Sequence, residues 1–189
     1  LSVSSGAAIT NTNGRIVASG NGTVQAASLT NDGSIAAGQA LNATVGGTLD
    51  NSNGGIIQTN GTDLTLAPAT LNNDGGTITH AGTGTLQIDA TTVQGAAGSI
   101  ASNGLLQLSG QQLDLQKGTT RARDVKITAT GLDTSGGSLL SLGNNAMQLQ
   151  VQGLLRNDGG SISANGAQQI QAGALSNRGG ALSSAGTAA

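Results

Sequence analysis

Aliphatic residues recur along this chain at intervals close to twenty. Ile9, Leu29, Leu49, Leu71, Val93, Leu113, Leu132, Leu155 and Leu175 follow one another at spacings of 20, 20, 22, 22, 20, 19, 23 and 20 residues. Other positions keep step with these anchors. Five residues after the anchor stands Gly14, Gly54, Gly76, Gly98, Gly118, Gly137, Gly160 or Gly180, with Gly33 one place early in the second unit. Seven after it stands a second aliphatic residue: Ile16, Ile56, Ile78, Ile100, Leu139, Ile162 or Leu182. Ile35 is again one early, which reads as a residue deleted from the turn, and Thr120 is the exception. Asn11, Asn31, Asn51, Asn73, Asn157 and Asn177 stand two after their anchors. Between the second aliphatic and the next anchor, segments such as Leu64-Thr-Leu66, Leu86-Gln-Ile88, Val125-Lys-Ile127 and Leu149-Gln-Val151 alternate with a period of two. That alternation is the signature of a strand with one buried face. Gly with Asn or Asp between strands marks turns, because these residues tolerate positive φ. Each unit is therefore predicted to be two or three short strands joined by tight turns.

One such unit cannot bury its own apolar side, so units must stack. Near-constant unit length favours parallel winding, since a coil that turns once returns above its starting point. Equivalent residues then lie ~4.8 Å apart, and nine coils make a rod on the order of 43 Å long. The expected fold is all-β: a parallel β-helix of about nine coils of roughly 20 residues, continuous over residues 1–189. Composition agrees with a thin interior. The chain holds 32 glycines and no Phe, Trp, Tyr or Cys. Aromatic side chains are the largest blocks available to a globular core, so a core of Leu, Ile, Val and Ala must bring backbones close together. Asn at a repeated position is expected to form a ladder, each amide bonding to its copies above and below, as in cross-β stacks.

Charge narrows the chemistry. The formal net charge is -2, which gives no general attraction to nucleic acid or to an anionic membrane. Stacking platforms for single strands are missing, and no apolar run reaches the ~18 residues of a membrane span. All nine acids are Asp, and they are scattered. Glycoside cleavage, the main enzymatic use of a parallel β-helix, calls for two carboxylates flanking one cleft. We therefore expect neither an enzyme nor a cofactor.

The run Leu-x-Asn-x-Gly-Gly-x-Ile-x-Ala-x-Gly followed by Leu-Gln-Ile-type alternation, clearest at 71–88 and 155–186, resembles the haemagglutinin repeat of filamentous haemagglutinin-like exoproteins. These are the secreted members of two-partner secretion systems, among them adhesins and the stick-like toxins of contact-dependent growth inhibition. The resemblance implies right-handed winding, export through an outer-membrane partner, a secreted or cell-surface location, and a role as shaft or adhesive surface. The family's secretion domain carries an Asn-Pro motif, whereas the one proline here is Pro68. Both termini fall inside the repeat. We therefore expect an interior piece without secretion or toxin domain, whose open strand edges fray, associate end to end or continue into flanking sequence.

Lys117, Arg121, Arg123 and Lys126 place four of the seven basic residues within ten positions of the irregular sixth unit. They form a candidate patch for a sulfated glycan or a receptor surface, against the plainer reading of a solvated turn. Asp32, Asp74 and Asp158 fall in turns of units two, four and eight, too far apart to share a calcium ion, so turn chemistry is the expected role. Asp158 should lie under Arg178 as a surface ion pair. Asp114 and Asp133 should stack as like charges, relieved by Lys117. His80 stands alone, with no Cys or Glu to complete a zinc site, and is expected in a solvated turn.

Overall fold

The computed structural model describes residues 1–186. Its nineteen strands form one continuous sheet wound into a solenoid. Each coil crosses three faces, which we call A, B and C, and several strands run on from one face to the next. In the eighth coil the strands are Met147–Arg156, which runs from face C of the seventh coil into face A, then Ser161–Ala164 on face B and Gln168–Ser176 beginning on face C. Every strand pairs in parallel with its counterpart one coil away.

The nine anchors stack in register on face A. Ile9 pairs with Leu29, Leu29 with Leu49, Leu49 with Leu71, Leu71 with Val93, and Leu113 with Leu132, Leu132 with Leu155 and Leu155 with Leu175. Face B stacks Ile16, Ile35, Ile57, Ile78, Ile100, Thr120, Leu139, Ile162 and Leu182. Face C adds a double column, with Leu64 and Leu66 under Leu86 and Ile88 and then Leu106 and Leu108. These aliphatic columns meet in one core without any aromatic ring. Each buried side chain contributes about 1.5–3 kcal/mol as an upper bound.

The third coil departs from the expected spacing by one residue. Ile57, not Ile56, takes the inward position: Ile57 is 1% exposed and Ile56 39%. The stacked glycine is likewise Gly55 rather than Gly54, since Thr77 donates to the Gly55 carbonyl as Ser99 does to that of Gly76. The turn after Asn51 has one residue more than its neighbours. Two consecutive residues there, Asn53 and Gly54, adopt left-handed φ of 56° and 81°. In seven other coils a single left-handed residue precedes the stacked glycine, namely Asn13, Gly75, Ala97, Lys117, Gly136, Gly159 and Gly179, while the shortened turn of the second coil has none. The column glycine is required for a second reason, because a Cβ on Gly76 would collide with the carbonyl oxygen of Asn51.

The short sixth repeat arises at the corner between faces B and C. The fifth coil spends Asn103 and Gly104 there, between Ser102 and Leu105, while the sixth has Arg123 alone between Ala122 and Asp124. With so little corner to interrupt it, backbone pairing runs almost unbroken from Ser99–Asp114 to Thr119–Asp133.

Candidate binding surface

The corner geometry decides how the four basic residues are displayed. Lys117 lies in the turn between faces A and B, exposed, with a left-handed φ of 56°. Arg121 projects from face B between buried Thr120 and Ala122. Arg123 occupies the corner, and its Nε lies 2.9 Å from Asp124 Oδ2. Lys126 projects from face C between buried Val125 and Ile127. The four thus wrap the sixth coil as a belt across a turn, a face, a corner and the next face. No cation stacks on another, because the outward neighbours of Arg121 are Ala101 and Leu140 and those of Lys126 are Gln107 and Gln148. Among the described residues, Lys117, Arg121 and Lys126 have no ion pair.

Asp124, which sequence reasoning passed over, is the buried acid of this coil. It is 7% exposed, and its Oδ1 is buried without a hydrogen-bond partner. Its signal in the sequence is the 19-residue interval from Leu113 to Leu132, which marks a trimmed corner that draws the next side chain inward.

Beside the belt, face A of coils six to eight carries a shallow cleft of about 250 Å³ lined by Gln112, Asp114, Gly131, Asp133, Leu154 and Arg156. Gly131 makes the notch by supplying no side chain between Gln112 and Leu154. Asp114 and Asp133 are neighbours in register, as the repeat requires. The opposing charge is Arg156 rather than Lys117, with Arg156 Nε 3.8 Å from Asp133 Oδ2. Both carboxylates also cap their own turns. Asp114 Oδ1 accepts from the Gln116 amide at 3.0 Å, and Asp133 Oδ1 from the Ser135 amide at 2.9 Å. These are turn-forming bonds of the Asx type.

The turn aspartates bond between coils as well. Asp74 Oδ1 accepts from the Ala96 amide at 2.7 Å. Asp158 Oδ1 accepts from the Arg178 amide at 2.8 Å and from Ser176 Oγ at 2.7 Å. Asp158 therefore does sit against Arg178, but the ion pair expected there is replaced by a bond to the arginine's backbone. The Ser176 hydroxyl, then the Arg178 amide, hold the Asp158 carboxyl below its ordinary pKa.

His80 overturns the expectation of a solvated turn. Alternation through Ile78, Thr79 and His80 turns the imidazole inward, and it is 1% exposed. Its column otherwise holds small residues: Ala18, Ala37, Thr59, Ser102, Ala122, Ser141 and Ala164. Its Nε2 lies 2.8 Å from the Thr62 carbonyl oxygen, which can only accept, so Nε2 carries a proton. Ser102 Oγ lies 2.9 Å from Nδ1 and accepts from the Gly104 amide. Its hydroxyl hydrogen is thus free to satisfy Nδ1. The histidine is a satisfied core group. Among the described residues, no three His, Cys, Asp or Glu side chains gather where they could hold a metal ion.

The asparagines form the ladder their spacing implied. Asn11 Nδ2 donates to Asn31 Oδ1 at 2.7 Å, Asn31 to Asn51 at 2.7 Å and Asn51 to Asn73 at 2.8 Å. The ladder lapses at Gly95 and Leu115. It resumes where Thr134 Oγ1 donates to Asn157 Oδ1 at 2.9 Å and Asn157 to Asn177 at 2.7 Å. All the bonds between asparagines point the same way along the rod.

Comparison with known proteins gives three findings. Residues 1–83, 81–149 and 132–188 match the haemagglutinin repeat. A stretch of 75 residues, 38% of this chain, is 55% identical to a protein named tRNA nuclease CdiA-2 from Burkholderia pseudomallei (strain 1026b). The chain spans 2% of that relative's length. No solved structure matches.

Proposed function

Starting from the fact that this chain belongs to the haemagglutinin repeat family, we propose that it is a shaft segment of a large exported exoprotein, an adhesin or a contact-dependent inhibition protein. The exoprotein would be secreted through an outer-membrane partner and held at the bacterial surface. One observation carries this reading: nine coils keep a single register, and their insertions and deletions fall at turns and corners. A rod of this kind sets distance. Its stability is close to a sum of coil-to-coil interfaces, so length can change by whole coils without loss of fold. The nuclease activity in the relative's name belongs to that far longer protein.

Removal of one whole repeat tests the shaft reading. In the full-length protein, deleting residues 72–93 joins Leu71 to the residue that follows Val93. The filament should shorten by about one strand spacing, ~4.8 Å, with export and surface display retained. Loss of target-cell attachment from an otherwise displayed, folded filament would sink the reading.

A second reading is a binding role for the rod's flank toward host glycans or a cell-surface receptor. It is favoured by Lys117, Arg121 and Lys126, exposed and without ion pairs among the described residues. Replacing Lys117, Arg121, Arg123 and Lys126 together with Gln should abolish retention on heparin. Unchanged retention would end this reading.

A further inference from the structure

The chain contains six Asn-Gly pairs: Asn13-Gly14, Asn21-Gly22, Asn53-Gly54, Asn60-Gly61, Asn103-Gly104 and Asn165-Gly166. In such a pair the glycine amide nitrogen can reach the asparagine side-chain carbonyl unhindered, because no Cβ stands in the way. Whether it does so depends on how firmly the fold holds either group. We propose that Asn53 is a self-modification site, where the Asn53-Gly54 turn cyclises and deamidates while the other five pairs are protected by the solenoid.

Protection at the other pairs is specific. The Gly22 amide donates to the Ala40 carbonyl at 2.9 Å, and Asn21 Oδ1 accepts from the Ala40 amide. The Gly61 amide donates to Thr59 Oγ1 at 3.1 Å. At the fifth coil's corner, the Gly104 amide donates to Ser102 Oγ at 3.1 Å and Asn103 Nδ2 donates to the Ala81 carbonyl at 3.0 Å. Asn165 Nδ2 is held by the Leu142 carbonyl at 2.8 Å. At Asn13-Gly14 neither the glycine amide nor the asparagine side chain is hydrogen-bonded among the described residues, and the restraint lies in the stacked glycine itself, whose carbonyl accepts from the Ser34 amide at 2.9 Å and on which a Cβ would collide with Asn11 Oδ1.

Asn53-Gly54 is different because it contains the extra residue of the third coil. Both residues are exposed. As at Asn13-Gly14, neither amide N–H is used in a hydrogen bond among the described residues, but here the glycine carbonyl accepts none either, and a Cβ built on Gly54 would meet nothing within 4 Å. The Asn53 side chain bonds only to its neighbour, Ser52 Oγ, at 3.1 Å. The peptide between them therefore lies outside the coil-to-coil framework and can pivot without breaking it. Exposed loop tips are where such local freedom concentrates.

The chemistry needs only water. Hydroxide removes the Gly54 amide proton, and the nitrogen attacks Asn53 Cγ to form an N–Cγ bond. The side-chain nitrogen leaves with a proton from water as ammonia, closing a five-membered succinimide. Water then adds to either ring carbonyl and opens the ring, giving aspartate or isoaspartate. The net change replaces NH2 with OH and adds one negative charge at neutral pH, in a turn stacked between those of Asp32 and Asp74.

The test is to incubate the folded chain at mildly alkaline pH and physiological temperature, then map peptides by mass spectrometry. Asn53 should gain the single-dalton shift severalfold faster than any other Asn-Gly pair. In strong urea all six should convert at similar rates. An Asn53→Gln variant, which keeps an amide but cannot close the five-membered ring readily, should remain folded and lose the early charge variant on anion exchange. Conversion of Asn13, Asn21, Asn60, Asn103 or Asn165 as fast as Asn53 in the folded chain would overturn the proposal. So would an Asn53 no faster than the other five.

Discussion

Coils one to four and coils five to seven fill the same place on face A in opposite ways. In the first group Asn11, Asn31, Asn51 and Asn73 form an unbroken amide ladder, and Asn31, Asn51 and Asn73 are fully buried. In the second the position holds Gly95, Leu115 and Thr134. The Leu115 side chain covers the space left by the glycine, its Cδ2 3.3 Å from where a Gly95 Cβ would stand. Thr134 then restarts the polar chain by donating to Asn157. A buried amide ladder is stable only while each member finds its partners. Ending one therefore takes an apolar plug on one side and a hydroxyl starter on the other. The stretch without the ladder is also where backbone pairing is most continuous, between Ser99–Asp114 and Thr119–Asp133.

The largest effect that sharpens this contrast should come from Asn51→Ala. It leaves Asn31 Nδ2 and Asn73 Oδ1 without their ladder partners in a buried site. Denaturant unfolding should show a loss of about 2–6 kcal/mol, from about 1–3 per buried orphan. A loss below a few tenths would mean that the ladder contributes little. Next in size is Gly95→Asn, which drives a side chain into Leu115 and should cost about 1–3 kcal/mol. Adding Leu115→Asn should recover part of that loss by joining the two ladders. A double-mutant cycle with no coupling between positions 95 and 115 would show that the plug does not explain the gap.

Smaller effects belong to the turns. Ala97 and Lys117 take a left-handed φ of 55° and 56° at the position filled by Gly75 in the ladder region. Ala97→Gly should raise the thermal midpoint, by the equivalent of about 0.5–1 kcal/mol once glycine's entropy is set against relief of the left-handed strain. Gly75→Ala should lower it by a similar amount. The smallest effect concerns Asp158, a half-buried group in a turn. Its carboxyl is held below its ordinary pKa by Ser176 and the Arg178 amide. The folded state therefore binds this proton less readily than the unfolded chain. The resulting stability is full above the ordinary carboxylate range and is lost as pH falls through the lowered pKa. Asp158→Asn should flatten this part of the stability profile in acid and change little else.

Much of this was legible in the chain. All nine anchors stack as spaced, and so do eight of the nine second-column positions, Thr120 among them, with Ile57 standing in the ninth instead of Ile56. The third coil was misread by one residue because Gly54-Gly55 and Ile56-Ile57 are tandem pairs, and only one member of each can face in. His80 was placed at the surface and Asp124 passed over because a polar residue in a turn-rich chain reads as solvated. Their signal was positional. His80 falls two after an inward Ile78, and Asp124 follows the shortened corner. The basic cluster was visible as a run, but a run that crosses a corner of the coil is divided between faces.

The sequence by itself determined that the chain winds, how long each turn is, and which side chains enter the columns, because period and alternation are properties of neighbouring residues. Only the stacked structure decided who meets whom across coils. It set the amide ladder's start and end, the hydroxyl and carbonyl that satisfy His80, and the backbone bond that replaces the Asp158–Arg178 ion pair. Those partners lie some twenty residues apart, and a contact over that distance exists only once every corner between them has been given its length.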